Sequence, residues 1–112
     1  MIVVKNKIAD FLIAGNFSAL CIWPFLFVRP GIRVTEKSVT LNHERIHARQ
    51  QLEMLWVFFF LWYSLEYMIR LRQHHNGNQA YLAISHEKEA FANEANLQYL
   101  KERKAYAWIK YL

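Results

Sequence analysis

The stretch LNHERIHARQQ, Leu41 to Gln51, decides how the rest of this chain is read. It sets His43 and His47 four residues apart, with Glu44 directly after the first. On an α-helix, residues i and i+4 face the same way, one turn apart. Two imidazoles in that spacing can occupy adjacent corners of a tetrahedron around Zn2+. Glu44 is rotated by about 100° from His43, which puts its carboxylate beside such a metal and not on it. There it can take a proton from a water whose pKa the metal has lowered, the division of labour that H-E-x-x-H encodes. The motif needs a helix beneath it. Asn42 is suited to be an N-cap, and the spacing predicts a helix starting at His43. The competing reading is a solvated helix face with Glu44 as an ordinary first-turn acid.

A catalytic zinc site usually has three protein ligands and one open position. His47 is not followed by H-x-x-G-x-x-H, so a third nearby histidine is excluded. Downstream lies SHEKEAFANEA, Ser85 to Ala95. Ser85 reads as the cap of a final helix, with Glu87 and Glu89 in its first turn, where the helix dipole favours acids. These glutamates are about 200° apart on a helix, so one of them faces the metal. His86 is a further choice. The other carboxylate, or Asn93, can orient a histidine from behind, and Gln50 is an orienting residue of the same kind and not a catalytic one.

HERIHARQQ followed by EKEAFANEA resembles the glutamate-zincin metallopeptidases, the gluzins, and is most like small bacterial members with H-E-x-x-H-x-x-Q and then E-x-E-A. The resemblance covers roughly Ser38 to Leu100. It implies a zincin-like fold, zinc held by His43, His47 and a downstream glutamate, Glu44 as general base, and an upstream strand that pairs with the substrate. In relatives with E-x-E-A-D, such as the prenyl-protein endopeptidases, the first glutamate is the ligand, which maps to Glu87, although Phe91 stands where their aspartate would be. Thermolysin-like enzymes use E-x-x-x-D. The stretch EAFAN is similar to that pattern, with Glu89 leading and Asn93 in place of the aspartate. Motif register favours Glu87, with Glu89 as the alternative.

The 112 residues suffice for one domain. We read an α+β, mostly helical chain: an apolar and β region over 1–41, an active-site helix with its apolar continuation over 42–73, and over 79–112 a C-terminal helix with an aromatic tail. Ala19 to Val28 reads as a strand, with Pro24 marking an edge or a bulge. Arg29 to Arg33 is a Pro-Gly turn, and Val34 to Leu41 a second short strand. From His43 to Gln73 no Pro or Gly interrupts the chain, so one long helix or two joined by a bend are expected. His74 to Asn78 is a loop. Ala90, Phe91, Ala95, Leu97 and Leu100 supply the last helix with a packing surface. Tyr106, Trp108, Ile109, Tyr111 and Leu112 pack back on the domain.

The chain has a net charge of +5 without a dense basic run, so nucleic acid is not an expected partner. One cysteine, Cys21, excludes an intramolecular disulfide and is expected to be a small buried hydrophobe. There is no G-x-S-x-G, phosphate-binding glycine loop or C-x-x-C. Two segments are apolar, Phe11 to Val28 and Met54 to Leu65. Neither reaches the roughly 20 apolar residues of a membrane span, and the first lacks a convincing cleavage site for a signal peptide. The 54–65 segment can serve a membrane surface or a partner subunit, and the expected location is cytoplasmic or membrane-associated. The leading function is a zinc-dependent endopeptidase acting on a peptide or protein. Tyr81, Tyr99, Tyr106, His74 and His75 are candidates to stabilise the oxyanion. The alternatives are a non-catalytic zinc-binding structural or interaction protein, and a small membrane-associated protein with an accidental HExxH.

Overall fold

Ser38 starts the helix on which everything else depends. Its backbone is extended and its Oγ accepts the Leu41 N–H at 3.3 Å, the bond that an N-cap serine makes to the third residue of a helix. The computed structural model describes residues 2–5, 19–29 and 38–112, and within them helix α1 runs Val39–Glu53. The expected strand Val34 to Leu41 is therefore corrected at its end: Val39 to Leu41 form the first helical turn, and 34–37 lie outside the described residues. Asn42 is not the cap either. It is buried within α1, and its Nδ2 donates to the Glu94 and Asn96 carbonyls at 2.7 and 3.0 Å. It thus serves the C-terminal end of a different helix, whose last carbonyls lack helical partners.

Between His43 and Gln73 the chain makes two helices. α2 runs Val57–His74, and the pair is bent by 112°. Leu55 and Trp56 turn the chain with φ of 54° and 62°; at Trp56, ψ of −59° and the bond from the Val57 N–H to the Leu55 carbonyl make a γ-turn of the rare, strained kind. One local and one tertiary contact hold the turn: the Trp56 N–H donates to the Gln51 carbonyl, and Met54 Sδ lies 3.2 Å from His86 Nε2.

The loop expected at His74 to Asn78 narrows to two residues. His75 closes α2 in the left-handed conformation, and Asn76 caps α3, Gly77–Ala83, by accepting the Gln79 N–H. α4 follows at Ser85–Asn93, α5 at Tyr99–Glu102 and a 3-10 helix at Ala107–Tyr111. Ser85 is not a cap acting through its own side chain. The buried Glu66 carboxylate accepts its N–H at 3.0 Å and its hydroxyl at 2.7 Å, so the start of α4 is capped from α2. Ala95 and Leu97 lie past the end of α4, and Phe91 and Leu97 are exposed. In the tail Trp108 alone is buried, stacked on His86 at 4.4 Å.

The expected strand Ala19 to Val28 is two strands. Trp23-Pro24, a cis peptide, forms the turn between β2, Ala19–Ile22, and β3, Phe25–Val28. β1, Ile2–Val4, pairs parallel to β3, so among the described residues the sheet order is β1-β3-β2 and β2 lies at an edge. Residues 30–33 of the expected turn lie outside the described residues. Side chains alternate across a strand, and Leu26 and Val28 face inward with Cys21 to meet Leu41 and Ala48 of α1. The architecture is α+β and mostly helical. Among the described residues no single helix is long and apolar enough to cross a membrane.

Candidate metal centre

α1 and α4 bring three side chains to one point. His43 Nε2 and His47 Nε2 are 3.1 Å apart, and Glu87 Oε1 lies 3.1 and 2.9 Å from them. All three residues are buried. Zinc–ligand bonds of about 2.0–2.1 Å place the corners of a tetrahedron about 3.3 Å apart. The triangle is slightly tighter than one face of such a tetrahedron.

The residues behind the triangle determine what its atoms can bind. His43 Nδ1 is 2.7 Å from Glu94 Oε2, a carboxylate oxygen that accepts. His47 Nδ1 is 2.8 Å from Gln50 Oε1. The Gln50 amide nitrogen is committed to the His86 carbonyl and to Glu89 Oε1, so its oxygen must face the imidazole. Both Nδ1 atoms therefore carry protons, and in neutral imidazoles both Nε2 atoms present lone pairs to a carboxylate oxygen. Three lone pairs converging in a buried site accept a cation. Without a metal, burial lowers the His47 pKa, yet the Glu87 carboxylate beside it outweighs this and raises it to about 9, so a cation binding at Nε2 displaces a proton. Burial would raise the Glu87 carboxyl, but His47 and His43 hold it well below the usual range. Its other oxygen accepts the Tyr63 hydroxyl at 2.6 Å, which fixes the carboxylate's rotation.

Glu44 is buried beside this triangle without joining it. It borders the same cavity of about 540 Å³ as His47 and Glu87. Burial pushes its carboxyl up, opposed by His47 and His43, and it hydrogen-bonds the Cys21 backbone. Gln51 Nε2 donates to the Cys21 carbonyl, and its Oε1 accepts the Trp23 N–H. This side of β2, turned away from β3, is held against α1 at Cys21. Ala19, two residues earlier, presents the same side and lines the cavity.

Of the two candidate glutamates, Glu87 is in the triangle and Glu89 is elsewhere. Glu89 is fully buried and paired with Arg103, which also bonds Glu53 through two nitrogens at 2.7 and 3.1 Å. Tyr99 donates to the same Glu89 carboxylate. Burial opposes its ionisation, and the bonds from Arg103 and Tyr99 outweigh that and lower its pKa. Asn93 orients no histidine: its Nδ2 donates to the Glu89 carbonyl and the Tyr111 hydroxyl. Gln50 does orient His47. His86 packs between Phe59 and Trp108, away from the triangle.

Tyr81 lines the cavity. Tyr99 and Tyr106 are engaged with Glu89 and Glu53, and His74 and His75 are exposed at the end of α2. The sequence reading missed Glu94 and Tyr63. Glu94 is seven residues after Glu87, on the same helical face, and that periodicity could have found it. Tyr63 lay hidden in an apolar run.

Arg103 locks α1 to α4 behind the site. Replacing it with Met leaves Glu89 buried without a countercharge. We expect Arg103→Met to lose about 3–5 kcal/mol in urea unfolding of the metal-free protein. A loss under 1 kcal/mol would show that the pair contributes little.

No protein-family model, curated protein or solved structure matches this chain.

Proposed function

We propose that this chain is a minimal zinc-dependent peptidase with a zincin-like, gluzin-type arrangement. One observation carries the reading: a ring nitrogen of His43, one of His47 and a carboxylate oxygen of Glu87 lie within 3.1 Å of one another, beside the cavity that His47, Glu87 and Glu44 border. Two imidazoles and one carboxylate suit zinc better than calcium or magnesium, which favour all-oxygen sets.

Zinc bound there would activate water and polarise a carbonyl. The chain's own residues would do the rest. Glu44 accepts a proton from the attacking water and passes it to the leaving amine. Gln50 and Glu94 hold the imidazoles in the tautomer that frees Nε2. Tyr63 keeps the Glu87 carboxylate from turning. Of the five oxyanion candidates, Tyr81 is the one that lines the cavity. Its hydroxyl pKa is raised by burial and by Glu87, so it remains a donor. A peptide strand would pair with β2 near Ala19, on the side turned away from β3. Phe59, Phe60 and Tyr67 line the cavity, which fits a substrate with a large apolar side chain next to the scissile bond.

The test is cleavage of a mixed-sequence peptide library by the untagged protein. Cleavage should be lost on chelation, return with zinc, and cluster beside apolar residues. Cleavage that persists in excess chelator would exclude the metal mechanism.

A further inference from the structure

The outer side of α2 is apolar where a helix packed on a domain is ordinarily polar. At about 100° per residue, Phe59, Tyr63, Glu66 and Tyr67 share one side of it. That side faces the protein: Phe59 and Glu66 are buried, and Tyr63 bonds Glu87. Val57, Phe58, Leu61, Leu65, Met68 and Ile69 fall on the opposite arc, and all are exposed, with Phe58 at 58%, Leu61 at 62% and Met68 at 67%. The stripe continues onto the 3-10 helix. Trp108 packs on Trp62, Leu112 borders a recess with Leu65 and Ile69, and Ile109 and Leu112 are exposed. A contiguous exposed patch of this kind marks an interaction surface.

Charge identifies the occupant. Glu66, the single acid of α2, is turned inward onto Ser85, and 103–112 contain no acid. Arg72 lies within the apolar arc one turn beyond Met68, and Lys110 follows Ile109 in the tail. A second copy docked through the same face would offer these cations no carboxylate. Anionic lipid headgroups would. Exposed Trp56, Trp62 and Tyr106 add the aromatic side chains that favour the membrane–water boundary. α2 is about 27 Å long, and α1 leaves it at 112° carrying charge, so the geometry is that of a helix lying in the interface and not crossing it.

We propose that α2 and the 3-10 helix bind the surface of an anionic phospholipid bilayer, with the outer stripe of α2 in the acyl region and Arg72 and Lys110 among the headgroups. The inner side of the same helix lines the cavity, so the site sits about one helix diameter, roughly 10 Å, from the lipid. This does not rest on the peptidase reading.

The test is co-sedimentation of the full chain with vesicles of phosphatidylcholine alone and of equal parts phosphatidylcholine and phosphatidylglycerol. Wild type should partition at least tenfold more strongly onto the anionic vesicles. Leu61→Glu with Met68→Glu should weaken this at least tenfold, while circular dichroism and metal content stay unchanged. A second pair, Leu61→Gln with Met68→Gln, should weaken it in the same direction without adding charge. Arg72→Glu should weaken binding to the anionic vesicles. No sedimentation with either composition would overturn the proposal, as would binding that the paired substitutions leave intact. Equal binding to both compositions would overturn the headgroup assignment. A wild-type dimer that Leu61→Glu with Met68→Glu converts to monomer, without vesicle binding, would assign the face to a second copy instead.

Discussion

Replacing His47 or Glu87 by Ala is expected to leave the purified, untagged protein without zinc, where wild type carries about one per chain. The three ligand atoms are already within 3.1 Å of one another, and each is held from behind by its own partner. Little reorganisation then opposes binding, and each ligand contributes a full share. Four-ligand structural zinc sites are worth roughly 10–16 kcal/mol, so one ligand is worth about 3–4 kcal/mol and its loss lowers affinity by two to three orders of magnitude. Elemental analysis reads this directly. Thermal unfolding gives an independent measure: zinc at about a thousand times the wild-type Kd stabilises wild type by about 4 kcal/mol and should stabilise either variant by no more than about 1.4 kcal/mol. Glu89→Gln is the control. Glu89 serves Arg103 and Gln50, so this variant should lose stability and keep its zinc. Full zinc content in His47→Ala would sink the site as drawn.

The histidine pair was legible because its spacing is local: one turn of helix converts i and i+4 into a shared face. The third ligand depended on how α4 is rotated against α1. Motif register favoured Glu87, but the physical reason for that rotation is distant. Arg103 draws Glu89 to the opposite side of α4, and the pairing of Arg103 with Glu53 spans 50 residues. No local pattern reports it. A bend was one of two expected outcomes for this stretch, but its position at Leu55 and Trp56 was hidden, since neither glycine nor proline marks it. Contacts from Gln51 and His86 hold it instead. The β2–β3 hairpin was misread because apolar residues continue through Trp23-Pro24, so the turn looked like a bulge in one strand. Asn42 has the chemistry of a cap, and it does cap, but at the end of α4, 51 to 54 residues away. Local chemistry was readable throughout. Apart from Glu87, which motif register favoured, the long-range partners were not.

Glu44→Gln should keep its zinc and lose cleavage by about two to four orders of magnitude, the usual contribution of a positioned general base. The substitution preserves shape, so the packing of α1 against β2 survives, while the amide can no longer accept the proton. The prediction follows from where Glu44 sits. It borders the cavity with His47 and Glu87 but is not one of the three converging ligands, and burial raises its carboxyl against the pull of His47 and His43. Cys21 cannot replace it as the reacting group: burial, reinforced by Glu44, pushes its thiol up to about 12, so thiolate is scarce at neutral pH. Zinc content and cleavage measured on the same samples separate the readings. Loss of zinc in Glu44→Gln would make Glu44 a ligand and remove the proposed base. Wild type and variant equally inert, both with zinc bound, would make the centre a structural one: the same triangle of donors holding α1 to α4, with no hydrolysis at its open side.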